Sequence, residues 1–256
     1  MTTTWSGGRR AASAPALEAV ERLRRSGDVH VWSWRLGSTL EPEDLLLDDA
    51  ELSRVRRFHD QVDAVAVART RAGARRAVGE LLDVAPQDVS LGHRPCPGCG
   101  DRGHGPPVLF RPALPLAVSL SRTDGCGLLA LCAGDRVGID IEAVRPVDAE
   151  GLAGVLLTER EREHVLGVPD GPDRALRHFR CWTRKEAVVK AAGHGLLGAA
   201  LTTLEVRPEE PGPVRVEYRH RGRASWWSVQ DVPLDGPWAA AVARPAGQPG
   251  GRLVMR

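Results

Sequence analysis

Only two residues of the chain are lysine, Lys185 and Lys190, and both fall in Phe179-Arg180-Cys181-Trp182-Thr183-Arg184-Lys185-Glu186-Ala187-Val188-Val189-Lys190. At every other strongly basic position the chain uses arginine. Arginine is a planar fork and lysine a compact point charge, and the two do not interchange where a cation must sit close to a reacting phosphate. Upstream, Gly138-Ile139-Asp140-Ile141-Glu142 supplies two carboxylates to set beside Glu186. Three carboxylates and a lysine are the residue types of a magnesium and phosphate site. Magnesium takes oxygen ligands and is commonly held by one or two carboxylates together with substrate phosphate.

These groups need elements that present them together. On an extended strand alternate side chains share a face, so Asp140 and Glu142 point one way while Ile139 and Ile141 enter the core. The same pentapeptide also reads as a plain amphipathic strand with a polar outer face. On a helix Trp182, Glu186 and Lys190 recur every four residues and form one stripe. A Glu and Lys at that spacing are often only a surface pair. The tryptophan on the same stripe turns it toward protein, which predicts that Glu186 and Lys190 are partly buried and in need of partners. Lys185 lies about 100° round the helix from Glu186 and is given a supporting role.

Bulk properties narrow the class. With 35 Lys+Arg against 33 Asp+Glu, the chain lacks the strong basicity of a general nucleic-acid binder, though its arginines suffice for a local phosphate patch. It has no apolar run of membrane-spanning length and no apolar signal-peptide core near residue 1, so a cytoplasmic, monomeric protein that binds neither nucleic acid nor membrane is expected. Five cysteines without framework spacing fit a reducing compartment.

The pattern along the chain predicts an α+β protein. Residues 1–27 read as a disordered extension in which Ala16 to Arg25 can form one short amphipathic helix. A strand begins at Val29, and helices are expected over Pro42 to His59 and Gln61 to Asp83. Strands follow over Leu116 to Leu120, Gly127 to Cys132 and Arg136 to Ala143, the last two joined by a hairpin at Ala133-Gly134-Asp135. Thr158 to Glu161 has the form of a capping box, and a long helix should run from Asp173 to Ala192 and stop at Gly193. Four more strands are expected over Thr203 to Arg207, Val214 to Tyr218, Trp226 to Val232 and Trp238 to Ala243. The repeat of helix pair then strands suggests two similar halves, residues 28–136 and 137–245, with a tail over 246–256.

Gly138-Ile139-Asp140-Ile141-Glu142 and Trp182-Thr183-Arg184-Lys185-Glu186-Ala187, completed by Lys190 and Gly193-His194-Gly195-Leu196, resemble the paired signature of the 4'-phosphopantetheinyl transferases of the surfactin-synthetase-activating type. Leu120-Ser121-Arg122-Thr123-Asp124-Gly125 is similar to that family's Ser-His segment, and the resemblance spans roughly residues 29 to 244. It implies two pseudo-symmetric halves, each an antiparallel sheet with a packed long helix, and coenzyme A in the cleft between them. The N-terminal half would contact the adenine and 3'-phosphate, and the C-terminal half would carry the metal and catalytic motifs. The implied reaction moves the phosphopantetheine arm to a serine of an apo acyl, peptidyl or aryl carrier protein of a polyketide, nonribosomal peptide or fatty acid synthase, releasing adenosine 3',5'-bisphosphate. Asp140, Glu142 and Glu186 would hold Mg2+, Glu186 or a metal-bound water beside it would accept the serine proton, and Lys190 would stabilise developing charge. Coenzyme A contacts are implied for Arg57, Arg69, Gly105, Ser121, Arg122, Asp140, Lys185 and Lys190.

The chain departs from the family pattern twice. Arg122 stands where histidine is common, and Gly105-Pro106-Pro107 replaces a Gly-Lys-Pro segment, removing one cation from the adenine and 3'-phosphate corner. Arg57 and Arg69 are the candidates to complete that corner. Cys96, Cys99 and His104 have the look of half a zinc site, for which His93 or Cys126 would have to give a fourth ligand. A non-catalytic carrier-binding relative, and an arginine-rich nucleic-acid binder with a small zinc loop, are the competing readings. Intact Asp140, Glu142, Glu186 and Lys190 argue against the first, and balanced charge against the second.

Overall fold

The structure is a computed structural model that describes residues 13–41, 46–96, 100, 105–195, 200–248 and 250–256. No helix among the described residues is long and apolar enough to cross a membrane. In the first half come α1 (Ala14–Ser26), β1 (Val29–Arg35), α2 (Asp49–Val55), α3 (Gln61–Leu82), a small hairpin of β2 (Ser90–His93) and β3 (Pro107–Arg111), then β4 (Leu116–Thr123) and β5 (Cys126–Ala133). The second half follows with β6 (Gly138–Ala143), α4 (Ala149–Leu156), α5 (Glu159–Leu166), α6 (Pro172–Ala191), β7 (Val214–His220), β8 (Arg223–Asp231) and β9 (Trp238–Pro245). The chain then reaches β10 (Leu253–Met255).

Each half runs strand, long helix, returning strands, and in each the first strand pairs antiparallel with the last. The sheets are ordered β10-β1-β5-β4 and β6-β9-β8-β7. Alternation then sorts the side chains. Leu129 and Leu131 of β5 pack with α3, and Ala241 and Ala243 of β9 pack with α6. The opposite faces share one core in which Leu128 and Ala130 of β5 meet Ile139, Ile141, Ala240 and Val242. The fold is thus helix, sheet, sheet, helix, the α+β architecture expected.

Edge strands β4 and β6 abut, and a period-two run of hydroxyls on β4 stitches them. Ser119 Oγ accepts from Ile139 N at 3.1 Å, Ser121 Oγ donates to Asp140 Oδ1 at 2.9 Å, and Thr123 Oγ1 accepts from Ala143 N at 3.0 Å. These bonds satisfy an otherwise open strand edge. They also fix the register of β6 against the first half.

Several sequence expectations change. The extension over 1–27 is interrupted by α1, capped by Ser13 and ended by Gly27 at φ 68°, with Ala16, Ala19, Val20 and Leu23 buried in the first core. Residues 1–12 lie outside the described residues. The tail over 246–256 is no tail, because β10 pairs parallel with β1, Val29 opposite Leu253 and Val31 opposite Met255. The helix expected from Pro42 is only α2 among the described residues; Arg75 pins it to α3 through Glu51 Oε2 at 2.6 Å and also reaches Asp48 Oδ2 at 3.0 Å. Ala133-Gly134-Asp135 crosses between sheets instead of closing a hairpin, since β5 pairs with β1 and β4 while β6 pairs with β9. Residues 203–207 form no strand; a short 3-10 turn at Leu201–Thr203 leads into a loop whose carbonyls are spent on buried cations. The capping box at Thr158 and Glu161 and the long helix α6 stand where the sequence puts them.

Candidate active site

The site is built on β6, α6 and the end of β4. Gly138 is what lets α6 approach. A Cβ there would come within 2.0 Å of Ala187 O and 2.5 Å of Ala191 N, so only a residue without one allows this helix to lie against this strand. Ile139 and Ile141 are fully buried between the sheets, each burial being worth roughly 1.5–3 kcal/mol, which turns Asp140 and Glu142 toward α6.

Lys190 closes the arrangement. Its Nζ lies 2.6 Å from Asp140 Oδ1, and it donates to Ser121 Oγ and Ile139 O, each at 3.2 Å. Segments of both halves therefore meet at one ammonium. The lysine side chain is 32% exposed and the aspartate 6%, so the cation faces an opening while its partner lies behind it. Asp140 Oδ2 is buried and makes no hydrogen bond.

Glu186 and Glu142 complete the cluster. Burial pushes the Glu186 carboxyl up to about 7, with repulsion from Asp140 and Glu142 adding to it and Lys190 opposing. Glu142 is raised as well, first by burial and then by Asp140, against hydrogen bonds from Arg145 and Trp182. Arg145 is 3.5 Å from Glu142 Oε2 and lies over the Phe179 ring at 5.1 Å. Among the described residues no three of His, Cys, Asp or Glu converge as a ready metal cage. The three carboxylates repel one another, and one buried oxygen lacks any partner. An all-oxygen set in that condition fits a hard cation whose remaining ligands are water and substrate.

Ser121 also belongs to the wall of a cavity of about 200 Å³ on the first half, with Arg122, Thr70 and Arg71 of α3, His93 of β2 and Phe58 beside it. No described carboxylate lines it. The cavity side of the site therefore carries arginines and the α6 side carboxylates.

Other expected site residues are placed differently. Lys185 is fully buried, its Nζ 2.6 Å from Glu161 Oε2 and donating to Leu201 O at 2.6 Å and Leu204 O at 2.7 Å. The 100° turn from Glu186 carries it into the second core, where it staples the loop after α6. Arg184 is likewise fully buried, donating from Nε to Asp231 Oδ1 at 2.7 Å and from its Nη atoms to the carbonyls of Val206, Arg207 and Glu210. Arg57 is exposed in the turn after α2, and Arg69 donates to Thr39 O at 3.0 Å; neither lines the cavity. Gly105 is buried behind the wall, its carbonyl engaged by His93 Nδ1 at 2.6 Å. Arg71 and His93 are the wall residues that the sequence reading passed over. The signal for Arg71 is its place as the second of four arginines on α3, one residue past Thr70.

For the zinc reading, Cys99 and His104 lie outside the described residues. His93 has both ring nitrogens engaged, by Arg71 Nη2 and Gly105 O at 2.6 Å each. Cys126 sits in the core shared by the two sheets, with its thiol raised by burial. Neither is available as a fourth ligand.

This arrangement has known relatives. The model of the 4'-phosphopantetheinyl transferase superfamily matches residues 136–243, the segment bearing Asp140, Glu142, Glu186 and Lys190. The chain is 31% identical over 227 residues to the 4'-phosphopantetheinyl transferase HetI of Nostoc sp., spanning 85% of this chain and 88% of the relative. It is 33% identical over 138 residues to the 4'-phosphopantetheinyl transferase AcpT of Salmonella typhi, spanning 52% of this chain and 67% of that one. A putative 4'-phosphopantetheinyl transferase of Synechocystis is 23% identical over 190 residues. The chain belongs to the 4'-phosphopantetheinyl transferase superfamily.

Proposed function

We propose that this protein transfers the 4'-phosphopantetheine group of coenzyme A to a serine hydroxyl of an apo acyl, peptidyl or aryl carrier protein, releasing adenosine 3',5'-bisphosphate. The observation that carries this reading is the Lys190 ammonium bonded to both Asp140 and Ser121, where an anionic cluster meets an arginine-lined cavity. The names of the relatives point the same way.

In this mechanism the nucleotide end of the donor occupies the cavity between α3 and β4, with Phe58 offering an apolar wall to the base and the arginines meeting phosphate. Asp140, Glu142 and Glu186 would hold Mg2+, which fits their oxygen donors and the unpartnered Asp140 Oδ2. The ion would draw charge from the pyrophosphate oxygens and leaving group. Lys190 binds a phosphoryl oxygen from the opening it faces, its other contacts holding it in place. The serine Oγ forms a bond to the phosphorus that bears the pantetheine arm, and the bond from that phosphorus to the adenosine 5'-phosphate oxygen breaks. Glu186, with a carboxyl raised to about 7, takes the serine proton as a base matched to neutral pH. The partly exposed Lys190 lies at the seam between the halves, where a carrier serine can enter.

The test is mass spectrometry of apo carrier proteins from fatty acid, polyketide and nonribosomal peptide synthases, each incubated with the protein, coenzyme A and magnesium. Gain of the phosphopantetheine mass on serine is the expected result. Unchanged mass on every carrier, with a control transferase active on the same samples, overturns the reading.

A further inference from the structure

We propose that His220 is a positioning residue for the transfer: stacked on His194, it holds the capped end of α6, and with it Lys190, in place while the two rings are uncharged and releases it when both carry protons. This rests on Lys190 serving phosphoryl transfer. The inner face of β7 carries Val214, Val216 and Tyr218 in period two, all buried against α6, and His220 is the next residue on that face. α6 ends in a paired cap. Gly193, at φ 79°, donates to Lys190 O at 2.9 Å, and the His194 amide donates to Val189 O at 3.0 Å. The His194 ring then lies 4.0 Å from the His220 ring at an interplanar angle of 29°, and 5.7 Å from the Tyr218 ring. An apolar contact commonly closes such a cap. Here two titratable rings close it. Lys190 stands in the last turn of α6, and its carbonyl is one of the two that the cap satisfies. Opening the cap leaves that turn free to fray, and a frayed turn no longer aims Nζ at Asp140 and Ser121.

The surroundings of His194 refuse a proton. Its Nδ1 is buried and has no partner among the described residues, so an N–H there would meet no acceptor. Around the ring stand His220, Arg221 of the β7–β8 turn, Arg136 of the crossover between sheets, and Tyr218 with its unpartnered hydroxyl. Arg136 also donates to Ala192 O at 3.3 Å, which keeps its charge at the cap. None of these groups is a carboxylate. Burial first, then His220, Arg136 and Arg221, lower His194 from its ordinary value of 6.5. The closed cap therefore binds fewer protons than an open one, so closure is complete above pH 6.5 and is lost as pH falls through the lowered value beneath it. A second charge on the ring 4.0 Å away completes the opening by like-charge repulsion.

The test compares the unmodified protein with His220→Phe, which keeps an aromatic ring and takes no proton, and His220→Ala, which removes the ring. Two quantities are followed from pH 8 down to about pH 5.5. One is turnover at saturating coenzyme A and carrier; the other is hydrogen exchange at the Gly193 and His194 amides, corrected for the intrinsic effect of pH on exchange. The unmodified protein should lose cap protection by about tenfold over this range, the scale of a like-charge pair at a partly exposed position. In His220→Phe protection should stay nearly level, and the ratio of acid to alkaline turnover should exceed the unmodified ratio by about threefold or more. Protonation of Glu186 lowers that ratio alike in all three proteins, so the difference between them belongs to the histidines. His220→Ala should lose protection and turnover at both ends of the range, while the KM for coenzyme A moves by less than about twofold, since neither histidine is on the described cavity wall. The same pH dependence in His220→Phe as in the unmodified protein, in either quantity, overturns the inference, as does unchanged turnover in His220→Ala. Should a variant fail to fold, the unmodified protein decides alone, because cap protection that is level across the range overturns it too. Absence of transfer to any carrier by the unmodified protein would instead remove the proposed function, while the exchange measurements still test the cap.

Discussion

Lys185 and Lys190 occupy the same helix, five residues apart, and share no environment. Lys185 Nζ is sealed in the second core against Glu161, whereas Lys190 Nζ stands at the opening with Asp140, Ser121 and Ile139 O. Both positions take a compact ammonium, one in a crowded cage of carbonyls and the other, in the proposed mechanism, beside a reacting phosphate. The consequences of losing them should therefore separate.

Lys190→Arg preserves charge but cannot place it at the same point, because the planar fork is longer than the three converging contacts allow. Turnover should fall by about tenfold or more with little change in thermal stability. Lys185→Met should do the reverse. It leaves Glu161, whose carboxyl burial already pushes upward, without its cation, a loss of roughly 3–5 kcal/mol, while turnover per folded molecule stays near normal at low temperature. Parallel melting curves and active-site-normalised rates decide it; equal rates for Lys190→Arg and the unmodified protein would remove the phosphate role of Lys190.

Asp140→Ala removes the carboxylate that holds Lys190 and carries the unpartnered buried oxygen. Transfer should drop by at least about a hundredfold, the scale set by losing a charge-stabilising ion in phosphoryl transfer. Circular dichroism should be unchanged, since the fold around β6 rests on Ile139 and Ile141. Magnesium titration of the two proteins checks the cause: a well-folded variant with normal magnesium dependence and near-normal rate sinks the assignment.

The sequence exposed the chemistry of this site better than its surroundings. Periodicity alone put Asp140 and Glu142 on one strand face and Glu186 and Lys190 on one helix stripe, because both elements obey their local repeat. It also placed α6 and its capped neighbour α5 to within a residue or so. What it could not show depended on partners far away in sequence. The exposed or buried fate of Lys185 turns on Glu161 and two loop carbonyls, the role of β10 on pairing with β1, and the cavity wall on a histidine at the end of the short hairpin strand β2. The alternating Ser119, Ser121 and Thr123 were legible as a period-two hydroxyl face, but only the adjacent edge of β6 reveals what they bond.

Gly138→Ala tests the contact that brings the strand to the helix. The added Cβ would press on backbone atoms of Ala187 and Ala191, which cannot swing aside as a side chain can. Forcing α6 outward should cost about 1–3 kcal/mol of overpacking strain and lengthen the Lys190–Asp140 contact. Both the unfolding midpoint and turnover should fall together, unlike either lysine variant. Unfolding in urea beside steady-state rates supplies the comparison, and an alanine variant with unchanged stability would contradict the close approach.

Glu186 should leave a signature in the pH dependence of stability. Its folded carboxyl is raised to about 7 from an ordinary value of 4.5, so folding favours the protonated form. Between those values the folded protein keeps a proton that the unfolded chain has released, and stability falls as pH rises through that window, levelling off above it. At about 1.4 kcal/mol per unit, the penalty reaches roughly 3 kcal/mol by pH 8. Glu186→Gln abolishes it. In the presence of a chelator, the variant should match the unmodified protein near pH 4.5 and exceed it progressively toward pH 8. Magnesium should close that gap from the other side, stabilising the unmodified protein at pH 8, where the ionised carboxylate can bind it, more than the glutamine variant, which keeps only Asp140 and Glu142. With magnesium bound, the ion favours the ionised carboxylate, so the transfer rate of the unmodified protein should rise with pH below that window. Urea unfolding at closely spaced pH values, with chelator and with magnesium, gives the curves; a stability gap between the two proteins that does not change with pH would show that Glu186 ionises as an ordinary carboxylate.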